Sequence, residues 1–143
     1  MNKQLQYDCV KQLQMPGAPI VIVAAVGETE VIANACKENG IIVSVICDNI
    51  HGKSKVPFCG IEVVHTPSLP ERFPKARFII ASQHIQDCVE QLISFGYDEF
   101  YSPLELLDSY DLEKNTHSMS NSYLQARINV CRKSHEAYLG DNQ

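Results

Sequence analysis

The run Ile20-Val21-Ile22-Val23-Ala24-Ala25, followed at once by Val26-Gly27-Glu28-Thr29-Glu30, constrains the fold more than any other feature of the chain. A continuous apolar stretch rich in β-branched residues fits a central strand covered on both faces, not the alternating pattern of a sheet with one face in water. From Glu28 to Glu38 the spacing changes to that of a helix, with Val31, Ile32, Ala35 and Cys36 on one side and two acids in the first turn. Asn39-Gly40 supplies a helix stop. Strand, tight turn, helix and stop therefore follow one another within about twenty residues, the first unit of a parallel sheet.

The remainder repeats the unit with variations. Ile41 to Cys47 reads as a second buried strand ending in Asp48-Asn49, and a polar loop to Gly60 precedes a short strand, Ile61 to His65. Thr66-Pro67-Ser68 caps a brief helix or turn to Phe73. Arg77 to Ser82 is another central strand, His84 to Phe95 a helix stopped by Gly96, Tyr97 to Tyr101 a last strand, and Pro103 opens Leu104 to Leu107. Before the first strand, Leu5, Cys9, Val10 and Leu13 fit a lead-in helix over residues 2–14, ended by Met15-Pro16-Gly17-Ala18-Pro19. The expected organisation is an N-terminal helix and linker (1–19), an α/β domain (20–110) and a C-terminal polar loop and helix (111–143).

A length of 143 residues suits a single core. The net charge of −5, without a Lys/Arg cluster, leaves no electrostatic footprint for nucleic acid or an anionic membrane. No apolar run approaches the roughly 18 residues of a membrane span, and Met1-Asn2-Lys3-Gln4-Leu5-Gln6 leads into no signal-peptide core, so a cytoplasmic address is expected. The six cysteines, Cys9, Cys36, Cys47, Cys59, Cys88 and Cys131, stand singly and read as small buried hydrophobes. Cys47, His51, Cys59 and His65 match no zinc-site spacing, so no metal is expected. Catalytic patterns are also sparse: Ser82, His84 and Asp87 lie within six residues at one helix start and would not converge on one proton path. No catalytic residue is assigned.

Six phrases carry a resemblance: Ile22-Val23-Ala24-Ala25-Val26-Gly27-Glu28, Lys37-Glu38-Asn39-Gly40, Ile46-Cys47-Asp48-Asn49, Gly60-Ile61-Glu62-Val63-Val64, Phe78-Ile79-Ile80-Ala81-Ser82 and Gln91-Leu92-Ile93-Ser94-Phe95-Gly96-Tyr97. Over residues 20–108 they resemble the Rossmann-like domain found ahead of methyltransferase, acyltransferase or radical-SAM domains in sugar- and polysaccharide-modifying enzymes. The resemblance implies a three-layer Rossmann-like sandwich, with a mostly parallel sheet of about five strands in the order 3-2-1-4-5 flanked by the terminal helices. It also implies a crevice at the carboxyl ends of the strands, where the family carries Gly-Ala-Gly-x-x-Gly. With Lys37 to Gly40 setting the register, the three glycine positions fall on Ala24, Val26 and Thr29. All three glycines are replaced, and a β-branched valine stands where backbone would meet phosphate and resists a positive φ.

What remains of such a site is Ala25, Val26, Gly27 and Glu28 at the turn, Asp48 and Asn49 at the end of the second strand, and Ser82, Gln83 and His84 on the opposite rim. Asp48 suits either a ribose hydroxyl or a solvated Asx turn. Ser82 reads as a helix cap and His84 as a candidate hydrogen-bonding group. NAD(P) or a nucleotide sugar is the candidate ligand, with no cofactor strictly required. The tail helix, Ser122 to Leu139, reads with Tyr123, Ala126, Ile128, Val130, Cys131 and Tyr138 as its apolar members, a stripe thin for a core helix. It is therefore expected to pair with a copy of itself in a homodimer, or to lead into a downstream catalytic domain. The functional expectation is a non-catalytic binding or assembly domain of a larger sugar- or nucleotide-sugar-modifying enzyme. Alternatives are a stand-alone nucleotide-binding protein and a purely structural dimerisation module.

Overall fold

A computed structural model describes residues 5–54 and 56–141. Its centre is a five-stranded, all-parallel sheet in the order β3-β2-β1-β4-β5, formed by β1 (Ile20–Val23), β2 (Val43–Asp48), β3 (Val63–His65), β4 (Arg77–Ile80) and β5 (Phe100–Tyr101). The helices are α1 (Cys9–Gln14), α2 (Gly27–Glu38), α3 (Leu69–Arg72), α4 (Ile85–Ser94), α5 (Leu104–Ser109) and α6 (Asn121–Asp141). This is the Rossmann-like sandwich and strand order implied by the resemblance.

The period-two alternation of each strand divides its side chains between two cores. Ile20, Ile22, Ile46, Ile79, Ala81 and Tyr101 join the core shared with α1, α2, α5 and α6. Val21, Val23, Val45, Cys47, Phe78, Ile80 and Phe100 join the other, under α3 and α4. All four residues of β1 and of β4 are buried, as strands covered on both faces require.

Two element boundaries differ from the sequence reading for identifiable reasons. β2 starts at Val43 because Ile41 completes the end of α2: Gly40 takes φ 70°, and the Ile41 N–H donates to the Cys36 carbonyl at 2.8 Å. The lead-in helix falls partly on residues outside the described ones, and its described part begins only at Cys9. Gln6 instead pairs with the outer edge of β5, donating to Phe100 O and accepting from Ser102 N, both at 2.9 Å. That contact covers a strand edge that would otherwise be open. At the amino end of the sheet, buried Arg77 donates to the carbonyls of Ala18 (2.8 Å) and Met15 (3.0 Å), locking the linker that delivers the chain into β1.

Candidate ligand crevice

The switch point of a 3-2-1-4-5 sheet lies between the carboxyl ends of β1 and β4, where the chain leaves the two strands toward opposite faces. Here the gap is stitched at its base: the Val23 carbonyl accepts from Ala81 N–H and, at 3.1 Å, from Ser82 N–H. The turn above it, Ala24 to Gly27, is where backbone amides would receive a phosphate.

Two of those amides, Ala25 and Val26, are committed within the chain. Ala25 N–H donates to Asp48 Oδ2 at 2.9 Å and Val26 N–H to Thr29 Oγ1 at 3.1 Å, while the Thr29 hydroxyl donates to Ala24 O at 2.5 Å. Thr29, at the third lost glycine position, is thus a fully buried cross-brace of the turn. Val26 sits at φ −120° and ψ 171°, extended backbone that valine adopts freely. The turn thereby avoids the positive φ that would have made valine costly.

Asp48 is 6% exposed and serves the backbone with both oxygens. Oδ2 holds Ala25, and Oδ1 accepts from Ile50 N–H at 2.8 Å and His51 N–H at 2.7 Å. Of the two sequence readings, the Asx turn is the one seen, and its second oxygen ties the turn to β1. Asn49 exchanges two amide hydrogen bonds with Gln91 of α4, at 3.1 and 3.0 Å. Ser82 Oγ accepts from His84 N–H at 3.0 Å, which closes a buried turn before α4; the N-cap of α4 is His84, without a side-chain cap, so the expected Ser82 cap is not formed. Gln83 and His84 line a groove of about 360 Å³ between the start of α4 and Ser134 and Tyr138 of α6.

The face of the crevice is covered by α6. A Cβ placed on Gly27 would meet Tyr123 Cε2 at 3.1 Å and Arg127 Cγ at 3.2 Å, so α6 lies directly on the first residue of α2. Glu28, whose side chain is fully buried, accepts from Arg127 Nε at 2.9 Å. Glu30 accepts from Ser118 N–H (3.3 Å) and its hydroxyl (3.0 Å) in the loop before α6. Both acids at the start of α2 therefore hold the chain's own C-terminal segment, where a phosphate would otherwise use the helix N-terminus.

The expectation that α6 lacks a core-facing stripe is corrected. Its buried side is Leu124, Ile128, Cys131 and His135, spaced three or four apart, whereas Tyr123 and Val130 are 49% and 42% exposed. Leu124, Ile128 and Cys131 belong to the α2 and α5 core, and Tyr138 and Leu139 pack against the α4 core, so α6 crosses the carboxyl edge from one layer to the other. The Cys131 thiol donates to Ala81 O at 3.6 Å. Leu124, Arg127 and His135 carry no mark in the sequence reading, and the bracing role of Thr29 and the seat of Tyr123 on Gly27 were not legible there. A heptad-like 124-128-131-135-138 count would have found the stripe had histidine been admitted to it.

Apart from the groove at Gln83 and His84, what is left open of the crevice is small. A cavity of about 130 Å³ beside Ala25, His51, Val56 and Phe58 falls well below the roughly 300 Å³ at which ligand pockets begin. Among the described residues no three His, Cys, Asp or Glu side chains are placed to hold a metal, and no helix is long and apolar enough to cross a membrane. All six cysteines are free; burial pushes the thiols of Cys9, Cys36, Cys47, Cys59 and Cys131 up to about 12, so access rather than acidity separates them: Cys9, Cys36, Cys47 and Cys131 are fully buried and Cys59 is exposed. Native thiol labelling should accordingly modify exposed Cys59 first and half-buried Cys88 more slowly, leaving four thiols for the unfolded chain. Rapid labelling of all six under native conditions would contradict this packing. Comparison with protein-family models, curated proteins and solved structures finds no match.

Proposed function

We propose that the chain is a non-catalytic Rossmann-like binding or assembly domain of a sugar- or nucleotide-sugar-modifying enzyme, with its dinucleotide crevice closed by its own helix. The observation that carries the reading is the commitment of the turn: Ala25 and Val26 amides to Asp48 and Thr29, and Glu28 to Arg127. A domain kept for dinucleotide chemistry needs those amides free and a close backbone approach to the pyrophosphate. The sugar-enzyme context is supported by the six phrases of the resemblance and the α/β order they occupy.

Thermal shift with NAD(P), nucleotide sugars, coenzyme A and S-adenosylmethionine tests it, because a ligand specific to the folded state raises stability by mass action. For the dinucleotides we expect no rise in Tm at millimolar concentration, and the same for Val26→Gly, since the glycine restores space but frees neither amide. A rise of several degrees with NAD(P) in the unaltered protein would overturn the closed-crevice reading in favour of a stand-alone nucleotide-binding protein.

A further inference from the structure

His135 is the one polar member of the α6 seat, fully buried where the helix crosses from one core to the other. Neither ring nitrogen makes a hydrogen bond of normal geometry. The backbone of Ser82 and Ile80, at the end of β4, lies close enough to favour the protonated ring, but burial outweighs it and lowers the pKa from 6.5 to about 4. A neutral imidazole without partners loses its hydration on burial and gains little in exchange. Its neighbours on α6 behave differently: Arg127 has Glu28, Cys131 has the Ala81 carbonyl, and Leu124 and Ile128 are apolar.

We propose that α6 is a releasable strap over the carboxyl-edge crevice, with His135 as the pin that weakens when it takes up a proton. Release exposes the start of α2 and the end of β4 together, and returns both imidazole nitrogens to water. The charged and titratable groups on the elements around the ring are already engaged. Glu28 of α2 binds Arg127, Asp48 of β2 binds three backbone amides, Asp108 of α5 binds Arg132, and burial pushes the Cys88 thiol of α4 up, so it stays neutral. Asp87 and His84 at the start of α4 line the groove beside α6. Glu28, Asp48 and Asp108 are held by other partners and Asp87 is exposed to water, so a protonated His135 in the closed state would be a buried charge without a counter-ion.

The sign follows from the lowered pKa in the closed state. Between pH 6.5 and about 4 the open state binds more protons than the closed one, so acid favours opening. From pH 7.5 to 5.0 the opening constant should rise roughly thirtyfold if the open ring titrates as a free imidazole. This inference rests on the carboxyl edge being the functional face. Its test needs no ligand, so it fails or stands separately from the thermal-shift experiment.

The experiment is amide hydrogen exchange on the full chain at pH 7.5 and 5.0, expressed as protection factors to remove the pH dependence of the exchange chemistry. Amides of residues 124–139 should lose about thirtyfold in protection while those of β1 and β4 keep theirs. His135→Leu should abolish the pH effect and His84→Gln should leave it. Protection of α6 that matches β1 and β4 at both pH values, or a pH effect that survives in His135→Leu, would overturn the proposal. Should His135→Leu fail to fold, an NMR titration of the imidazole carbons in the unaltered protein decides: an apparent pKa near 6.5 for His135 overturns it, and one near 4 to 5 supports it.

Discussion

Replacing Asp48 with alanine should lower stability by about 3 kcal/mol, roughly 10 °C in Tm for a domain of this size. One carboxylate serves three backbone donors, Ala25, Ile50 and His51, and the bond to Ala25 is buried. Removing it leaves these amides without their acceptor, at about 1 kcal/mol or more each where water cannot replace it. Asp48→Asn separates the two roles. An asparagine keeps a carbonyl for the Ile50 and His51 amides but turns an NH2 toward the Ala25 N–H, so a loss of about 1 to 2 kcal/mol is expected. Urea denaturation with unchanged m-values checks both. Equal stability of Asp48→Ala and the unaltered protein would return Asp48 to the role of a free strand-end carboxylate, available for a ribose.

The second large effect lies at the Glu28–Arg127 pair. Arg127→Met should cost about 2 to 3 kcal/mol, because the fully buried Glu28 carboxylate loses its counter-ion. The arginine side chain is 29% exposed, which lets water moderate the loss and places it below the 3 to 5 kcal/mol typical of wholly buried pairs. Adding Glu28→Gln to Arg127→Met should recover more than half of that loss, since no buried charge is then left alone. Additive single effects in this double-mutant cycle would mean that α6 does not hold the start of α2 through this pair.

Both effects concern a turn whose fold was legible in the sequence and whose chemistry was only partly so. The β-branched runs at Ile20, Val43 and Phe78 specify buried parallel strands, because no other element accommodates them at that length, and the strand order follows the resemblance. The loss of glycine at Ala24, Val26 and Thr29 was also legible. The replacement was not. That Thr29 braces the turn and Asp48 reaches back to Ala25 depends on side-chain directions fixed only when β1 and β2 pair in register, Val23 opposite Cys47. Arg127 lies 99 residues from Glu28, and nothing local marks it as a partner. The buried stripe of α6 was obscured because the apolar reading centred on Tyr123 and Val130, which face water, and passed over Leu124, and because another stripe position is a histidine, a residue that hydropathy patterning assigns to water.

α6 seats on the β1–α2 turn, where the proposed function has it standing over the dinucleotide crevice. The most direct measurement is a solution NOE between the Gly27 Hα protons and the Tyr123 ring, since a Cβ at Gly27 would lie 3.1 Å from Tyr123 Cε2. At neutral pH a strong cross-peak is expected, with the Ala25 and Val26 amides unmoved by NAD(P). Absence of that cross-peak in an otherwise folded spectrum, with Ala25 and Val26 shifting as the dinucleotide is added, would contradict the account.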